Sequence, residues 1–392
     1  MTTSDPLPGW GDYLAILGQA DGLLDTLADR GDPLARQEVY RLLFLALASG
    51  FNSAFMDPDL PDFTPAVSNV LNGVGANPDF IYAGTLIDGT GQYRLSGERG
   101  DGLFLLFDFV AGGLYVTEQR GVSVGTLDID KCTLVDGCFD ILLSGERPMD
   151  HQGDWFRLDP RARTVMARQA SYEWGAGREA RIAIERIDRP IAPRRLEADE
   201  VARRLKLLAA FPERFAGFAM GYGAGQRSRG CVNRLEHDYW AGRGGVANQH
   251  YYQGIFRLAP GEALIVETEI PEQVRYWNIQ LNDPLWNAID WINRQSSLNG
   301  GQAVLDSDGK FRAVIALEDP GVPNWLDPGG HAEGSLMLRW TEASSGPEPK
   351  LTIVPTASVR ERLPPETAVV TPAMRQDALR KRRRGAQLRR RW

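Results

Sequence analysis

The sequence predicts a mainly β protein of α+β class, with helical segments at both ends and between two antiparallel β regions. Three observations carry that prediction. Glycine and proline are plentiful, 42 and 24 of 392 residues, as turn-rich β folds require. Two long stretches, about 80–190 and 251–356, break into short runs separated by Gly, Asp and Thr, without the strand–helix alternation of a parallel sheet. The remaining stretches repeat apolar residues every three or four positions, the period of a helix face.

Taken in order, residues 1–60 form a helical N-terminal segment. YLAILGQADGLLDTLA and PLARQEVYRLLFLALASGFNSAF have helical spacing, and Asp32–Pro33 caps and opens the second helix. Residues 61–190 form an antiparallel β-rich domain. IDGTGQYRLSGER reads as one hairpin and KCTLVDGCFDILLSGE as another, turning at Asp136–Gly137; TVMARQASYEW and ARIAIERID supply two more strands. Residues 191–250 hold a connecting helix over 196–218, with Val201, Leu205, Leu208, Phe211 and Phe215 on one stripe. The GYGAGQRSRG that follows reads as a Gly-rich loop, since it lacks the Gly-Lys-Ser/Thr of a phosphate loop. Residues 251–360 give a jelly-roll-like sandwich from YYQGIFRL, EALIVETEI, YWNIQLN, AVLDS, KFRAVIAL, SLMLRWT and KLTIVPT. Residues 361–392 close the chain with a basic helix whose start signal is Thr371–Pro372.

Charge and composition narrow the function. The net charge is −7, but 375–392 carries +8 and the rest −15. An acidic body repels nucleic acid, so the basic end is expected to pair within the chain or with a second copy, making a homo-oligomer. The longest apolar run, LLFLALASGF, is too short to span a bilayer, and MTTSDPLPGW has no signal-like pattern. A cytoplasmic protein with neither membrane nor nucleic-acid partner is expected. Cys132, Cys138 and Cys231 are an odd set without zinc spacing, expected as buried or half-buried thiols. With four histidines and no HxH or HxxxH pattern, no metal is expected. Asp306-Ser307-Asp308-Gly309 mimics the start of a calcium loop, but the twelfth position is Leu317, and a hairpin turn is expected instead.

Five of the ten tryptophans fall in 276–340, interleaved with Asn, Gln, Arg and Asp. Indole planes beside amides and charges suit a small molecule with apolar faces and polar edges. The expected ligand-binding residues are Arg294, Asn299, Trp286, Trp291, Asn324 and Trp325. Arg294 offers a planar fork for a carboxylate or hydroxyl pair. His331, in a Gly-rich turn with Asp327 or Glu333 to orient it, and Asp290 are the candidate acid/base groups. A structural role competes with each: Asp290 and Arg294 are spaced to pair with each other on a helical turn, and tryptophans pack cores more often than they stack on ligands.

The same stretch resembles the C-terminal part of a bacterial family, domain of unknown function 1214. The pieces that carry the resemblance are Tyr276–Trp277, Asn299, the Asp308–Gly309 hairpin, Asn324–Trp325–Leu326 and Leu336–Arg339. Upstream, YRLSGERGDGLFLLFDF is similar to the family's N-terminal strands, so the likeness runs from about residue 35 to 380. It implies a jelly-roll C-terminal domain beside a second β-rich region and a helical part, and it supplies no catalytic residues.

Two functions remain open from the sequence. One is a cofactor-independent enzyme, a hydrolase or lyase, acting by general acid/base chemistry on an aromatic, polycyclic or polyhydroxylated molecule. The other is a non-catalytic small-molecule or carbohydrate-binding, or structural, protein of the same fold.

Overall fold

The structure is a computed structural model describing residues 7–27, 31, 33–112, 121–193, 195–240, 246 and 248–389. The expected cap Asp32 and the end of the basic segment, 390–392, lie outside the described residues. The α+β architecture is as the sequence predicts: two β-sandwiches, a layer of helices against them, and a C-terminal helix across both.

The N-terminal sandwich packs a five-stranded sheet, ordered Thr64–Pro65, Phe80–Leu86, Ala162–Ala170, Phe104–Ala111, Val122–Asp128, on a four-stranded one of Asp154–Arg157, Cys138–Ser144, Tyr93–Glu98 and Arg181–Arg186. Period-two alternation turns Tyr93, Leu95, Phe107, Phe109, Phe139 and Ile141 into its core. The two expected hairpins form differently. Phe80–Leu86 and Tyr93–Glu98 belong to different sheets, so the turn between them is a corner from one sheet to the other. Asp136 and Gly137 do make a tight turn, both at positive φ, but it closes only the isolated pair Val135–Cys138.

The C-terminal sandwich joins Glu236–Asp238, Gln249–Arg257, Glu333–Ala343, Val274–Asn282 and Ser297–Asn299 in one sheet, and Trp325–Leu326, Phe311–Ala316, Glu262–Thr268 and Lys350–Pro355 in the other. Phe256, Leu264, Trp277, Ile279, Phe311, Leu338 and Trp340 fill it. AVLDS forms no strand; Asp306–Gly309 is a turn, with Gly309 N–H donating to the Asp306 carbonyl at 2.9 Å. Its carboxylates hold Arg312, at 2.8 Å from Asp306 and 2.7 Å from Asp308.

The helix Pro33–Phe55 lies against Ala198–Ser228 through Val39, Leu42, Leu45, Phe211 and Phe215. Arg204 donates to the Ala54 and Met56 carbonyls at 3.2 and 3.0 Å, satisfying the end of the first helix. The expected Gly-rich loop is helix instead: the element continues to Ser228, with Ala219, Gly223 and Gln226 buried. Small residues let this face approach the chain at Pro284, whose carbonyl a Cβ on Gly223 would meet at 3.4 Å. Tertiary packing outweighs the helix propensity lost at glycine.

The C-terminal helix Pro372–Leu388 starts as predicted, Thr371 Oγ1 accepting from Met374 N–H. Arg375, Arg382 and Arg389 recur every seven residues and so share one face. Arg375 reaches Asp319 and the Val322 carbonyl in the C-terminal sandwich. Arg389 reaches Glu179 and the Asp79 carbonyl on the N-terminal side. The basic segment is therefore used within the chain. No described helix is long and apolar enough to cross a membrane.

Candidate functional site

The outward faces of the two sandwiches are turned toward each other. In the C-terminal sheet the alternation that sends Trp277, Ile279, Leu338 and Trp340 inward sends Tyr276, Asn278, Gln280, Met337 and Arg339 to the opposite face. That face is polar yet buried: Asn278 and Gln280 are 0 % exposed and Arg339 4 %. Opposite it stand Phe80, Tyr82, Phe104, Met166 and Arg168 of the N-terminal sheet. Phe80 and Phe104 pack on Tyr276 at 5.3 and 6.0 Å between ring centres. Arg275 ties the two sandwiches, donating to Asp128 at 2.6 Å and Glu342 at 3.0 Å.

Beside this contact a cavity of about 290 Å³ remains. Its floor is Tyr251, Met337 and Arg339 of one sheet and Tyr82, Met166 and Arg168 of the other; Leu45, Ser49, Phe215 and Phe218 of the helices and segment 73–77 close it. Trp286 and Trp240 add aromatic wall. Trp286 is placed by a turn that Asp283 organises, accepting from the Leu285 and Asn287 backbone N–H groups at 2.9 and 2.8 Å. The indole stacks on Tyr222 at 3.9 Å, tilted by 8°. Gly75 permits this: its φ is +64°, and a Cβ there would stand 2.6 Å from Trp286 Nε1.

The two cations among the described lining residues, half-buried Arg168 and buried Arg339, sit on sheet strands. Arg168 is paired with Asp108, and burial pushes its guanidinium down. Arg339 differs: its hydrogen-bond acceptors among the described residues are neutral, namely Asn278 Oδ1 at 3.2 Å, Gln280 Oε1 at 2.5 Å and the Gly75 carbonyl at 3.0 Å. The Tyr251 ring lies 5.5 Å from it.

Behind the cavity wall, Asp79 is buried and accepts from Tyr276 Oη at 2.7 Å, Asn299 Nδ2 at 2.6 Å and Trp174 Nε1 at 3.0 Å. Burial pushes its carboxyl up from the usual carboxylate range, against those hydrogen bonds.

The residues expected from the sequence fall in several places. Trp286 lines the central cavity. Asp290, Arg294 and Trp325 line a second, wider cleft of about 630 Å³ beneath the C-terminal helix, with Asp327 and Arg375. There Arg294 pairs with Asp327 at 3.0 Å, and Asp290 holds Asn293 Nδ2 at 2.9 Å, so the two do not pair with each other through their side chains. Trp291 packs with Ala288, Ile292 and Ala386, and Trp325 Nε1 donates to the Ala316 carbonyl at 2.8 Å. Asn299 belongs to the Asp79 network, and Asn324 clamps the Val304 and Arg312 carbonyls at 2.6 and 2.8 Å. His331 is half-buried, and its imidazole makes no hydrogen bond among the described residues. Its expected orienters are engaged elsewhere, Asp327 by Arg294 and Glu333 by Arg227 and Arg257. Cys231 is buried and Cys132 half-buried, its thiol pushed up to about 11 chiefly by burial, while Cys138 is exposed, against expectation. Among the described residues no cluster suited to a metal is found.

Sequence reasoning passed over Tyr82, Arg168, Tyr251 and Arg339. The signal that could have found them is the polar half of each alternating strand, above all Arg339 in SLMLRWT, two positions from Met337.

No family model and no curated protein matches the chain. Among solved structures, that of an uncharacterised protein from Burkholderia cenocepacia is similar, with 27% identity over 89% of this chain and 97% of that one and a TM-score of 0.83. A protein from Vibrio parahaemolyticus is far looser, at 11% identity over 80% and 99% of the two chains and a TM-score of 0.45.

Proposed function

We propose that this protein binds a small, flat, largely apolar molecule in the central cavity between its two sandwiches. The observation that carries the reading is a buried aromatic chamber with polar side chains on one wall, the arrangement small-molecule sites share. Tyr82, Tyr251, Trp240 and Trp286 offer ring faces, and Met166 and Met337 offer adaptable contacts. Binding is favoured over acid/base turnover here. Of the described lining residues the titratable ones are Tyr82, Tyr251, Arg168 and Arg339, and burial pushes the Tyr82 phenol up, away from proton exchange near neutrality. A catalytic reading attaches instead to the second cleft, where Asp290, Asp327 and Arg294 converge. The cytoplasmic setting, and self-association through the outward Lys381, Arg383 and Arg384, belong to this proposal too.

The test is titration with naphthalene-2-methanol, followed by tryptophan fluorescence and thermal shift, on wild type and Ser49→Phe. The substitution plugs the cavity from a helix face. Saturable binding that Ser49→Phe abolishes is expected. Absence of binding, or binding that the plug leaves intact, refutes the site.

A further inference from the structure

Arg339 is the group in the central cavity whose chemistry is incomplete. A guanidinium taken out of water needs compensation for the hydration it loses, and buried charges are ordinarily met by an opposite charge. Arg168, across the cavity, has Asp108. Arg339, 4 % exposed, has two side-chain amides and a peptide carbonyl.

A guanidinium has five N–H groups. Nη1 serves Asn278 and Gln280, and Nη2 serves Gly75. Among the described residues the remaining Nη2 proton has the Met337 sulfur, a weak acceptor, at 3.7 Å. Nε–H makes no hydrogen bond among the described residues. Nε and Nη2 are the side-on edge of the guanidinium, the edge that receives both oxygens of a carboxylate. Among the described residues the cavity thus has one cation matched by a carboxylate and one that is not, so one negative charge balances the second.

We propose that the ligand is an organic monoanion, a carboxylate on an aromatic or other flat apolar body, with its carboxylate set on the Nε–Nη2 edge of Arg339 and its body against Trp286 and Tyr251. This rests on the central cavity being the binding site and adds the ligand's chemical class. The neutral acceptors behind Arg339 fix the fork in place without neutralising it. An uncharged amide of the same shape offers that two-donor edge one acceptor oxygen and forgoes the charge-assisted pair, a difference of at least about tenfold in affinity at such a site.

Calorimetric titration of the wild-type protein with 2-naphthoate and its neutral isostere 2-naphthamide tests this, since the two differ chiefly in charge. The naphthoate is expected to bind at least about tenfold tighter. Arg339→Gln, checked for folding by circular dichroism, should bring the two affinities together while keeping the amide's. Arg339→Lys should recover only part of the preference, because it restores charge without the fork. Equal binding of acid and amide to wild type overturns the anion assignment and leaves the cavity reading standing. Binding of neither overturns both. A preference that survives in folded Arg339→Gln overturns the role given to Arg339. The wild-type comparison decides even where the variants fail to fold.

Discussion

Replacing Arg382 tests how the C-terminal helix holds the molecule together. Its Nε donates to the Trp291 carbonyl, Nη1 to Gln302 Oε1 at 3.1 Å and Nη2 to Ser297 Oγ at 2.7 Å, while the guanidinium lies 4.4 Å from the centre of the Trp174 ring. Burial pushes this guanidinium down to about 10, so the site disfavours the charge even as it uses all three nitrogens. In Arg382→Met, three hydrogen bonds from a charged donor, about 1.5–3 kcal/mol each, are lost. A cation–π contact of up to about 2 kcal/mol goes with them. The several kcal/mol spent desolvating the guanidinium is recovered, and the methionine stem fills most of the volume. The balance is a loss of about 2–4 kcal/mol. At about 2.1 cal/mol/K per residue, a loss of 3 kcal/mol in a chain this long lowers Tm by about 4 °C. Arg382→Lys keeps a buried charge but cannot span three diverging acceptors, so it should destabilise at least as much as methionine. Scanning calorimetry of both variants reads the order directly. A lysine variant close to wild type would show that charge alone holds the helix, and the fork argument would be wrong.

Three further outcomes are expected. Gly75→Ala forces a Cβ into a +64° backbone against Trp286, so stability should fall by about 1–2 kcal/mol with a red shift of tryptophan emission; an unchanged melt would remove the close approach from the argument. Tyr93 and Tyr172 have phenols pushed up to about 12, chiefly by burial. Because the unfolded phenols ionise first, their contribution is complete below about pH 10 and is lost as pH rises toward 12, by up to about 1.4 kcal/mol per pH unit each before solvent screening. Absorbance at 295 nm should show these two titrating only with unfolding, and reversible ionisation near pH 10 in folded protein would contradict their burial. Arg294→Lys and Asp290→Asn touch a half-exposed pair and a turn, so each should cost under about 1 kcal/mol and leave naphthoate affinity unchanged; a large fall in affinity would move the ligand to the second cleft.

The sequence by itself determined the elements whose signals are local. Thr371–Pro372 opens its helix because a hydroxyl and a missing N–H act within one turn. Asp306–Gly309 turns where it should because the φ and side-chain preferences of that tetrapeptide do not depend on distant contacts. The alternation in YWNIQLN and SLMLRWT likewise fixed which residues enter the sandwich core. Other features depended on partners remote in the chain. Three glycines within 221–225 read as a loop until a helix face is pressed against Pro284. Trp291, Asn299 and Asn324 carry the residue types of a binding site, yet the structure has Trp291 packing, Asn299 donating to the Asp79 carboxylate and Asn324 clamping backbone carbonyls. Only tertiary structure decided that the polar outer face of the C-terminal sheet meets the largely aromatic outer face of the N-terminal one. A strand's sequence states which side chains share a face and is silent on whether water or a second domain covers it. That burial turns Arg339 from an ordinary strand residue into a desolvated cation, since the cost of its charge comes from lost water and not from its neighbours in sequence.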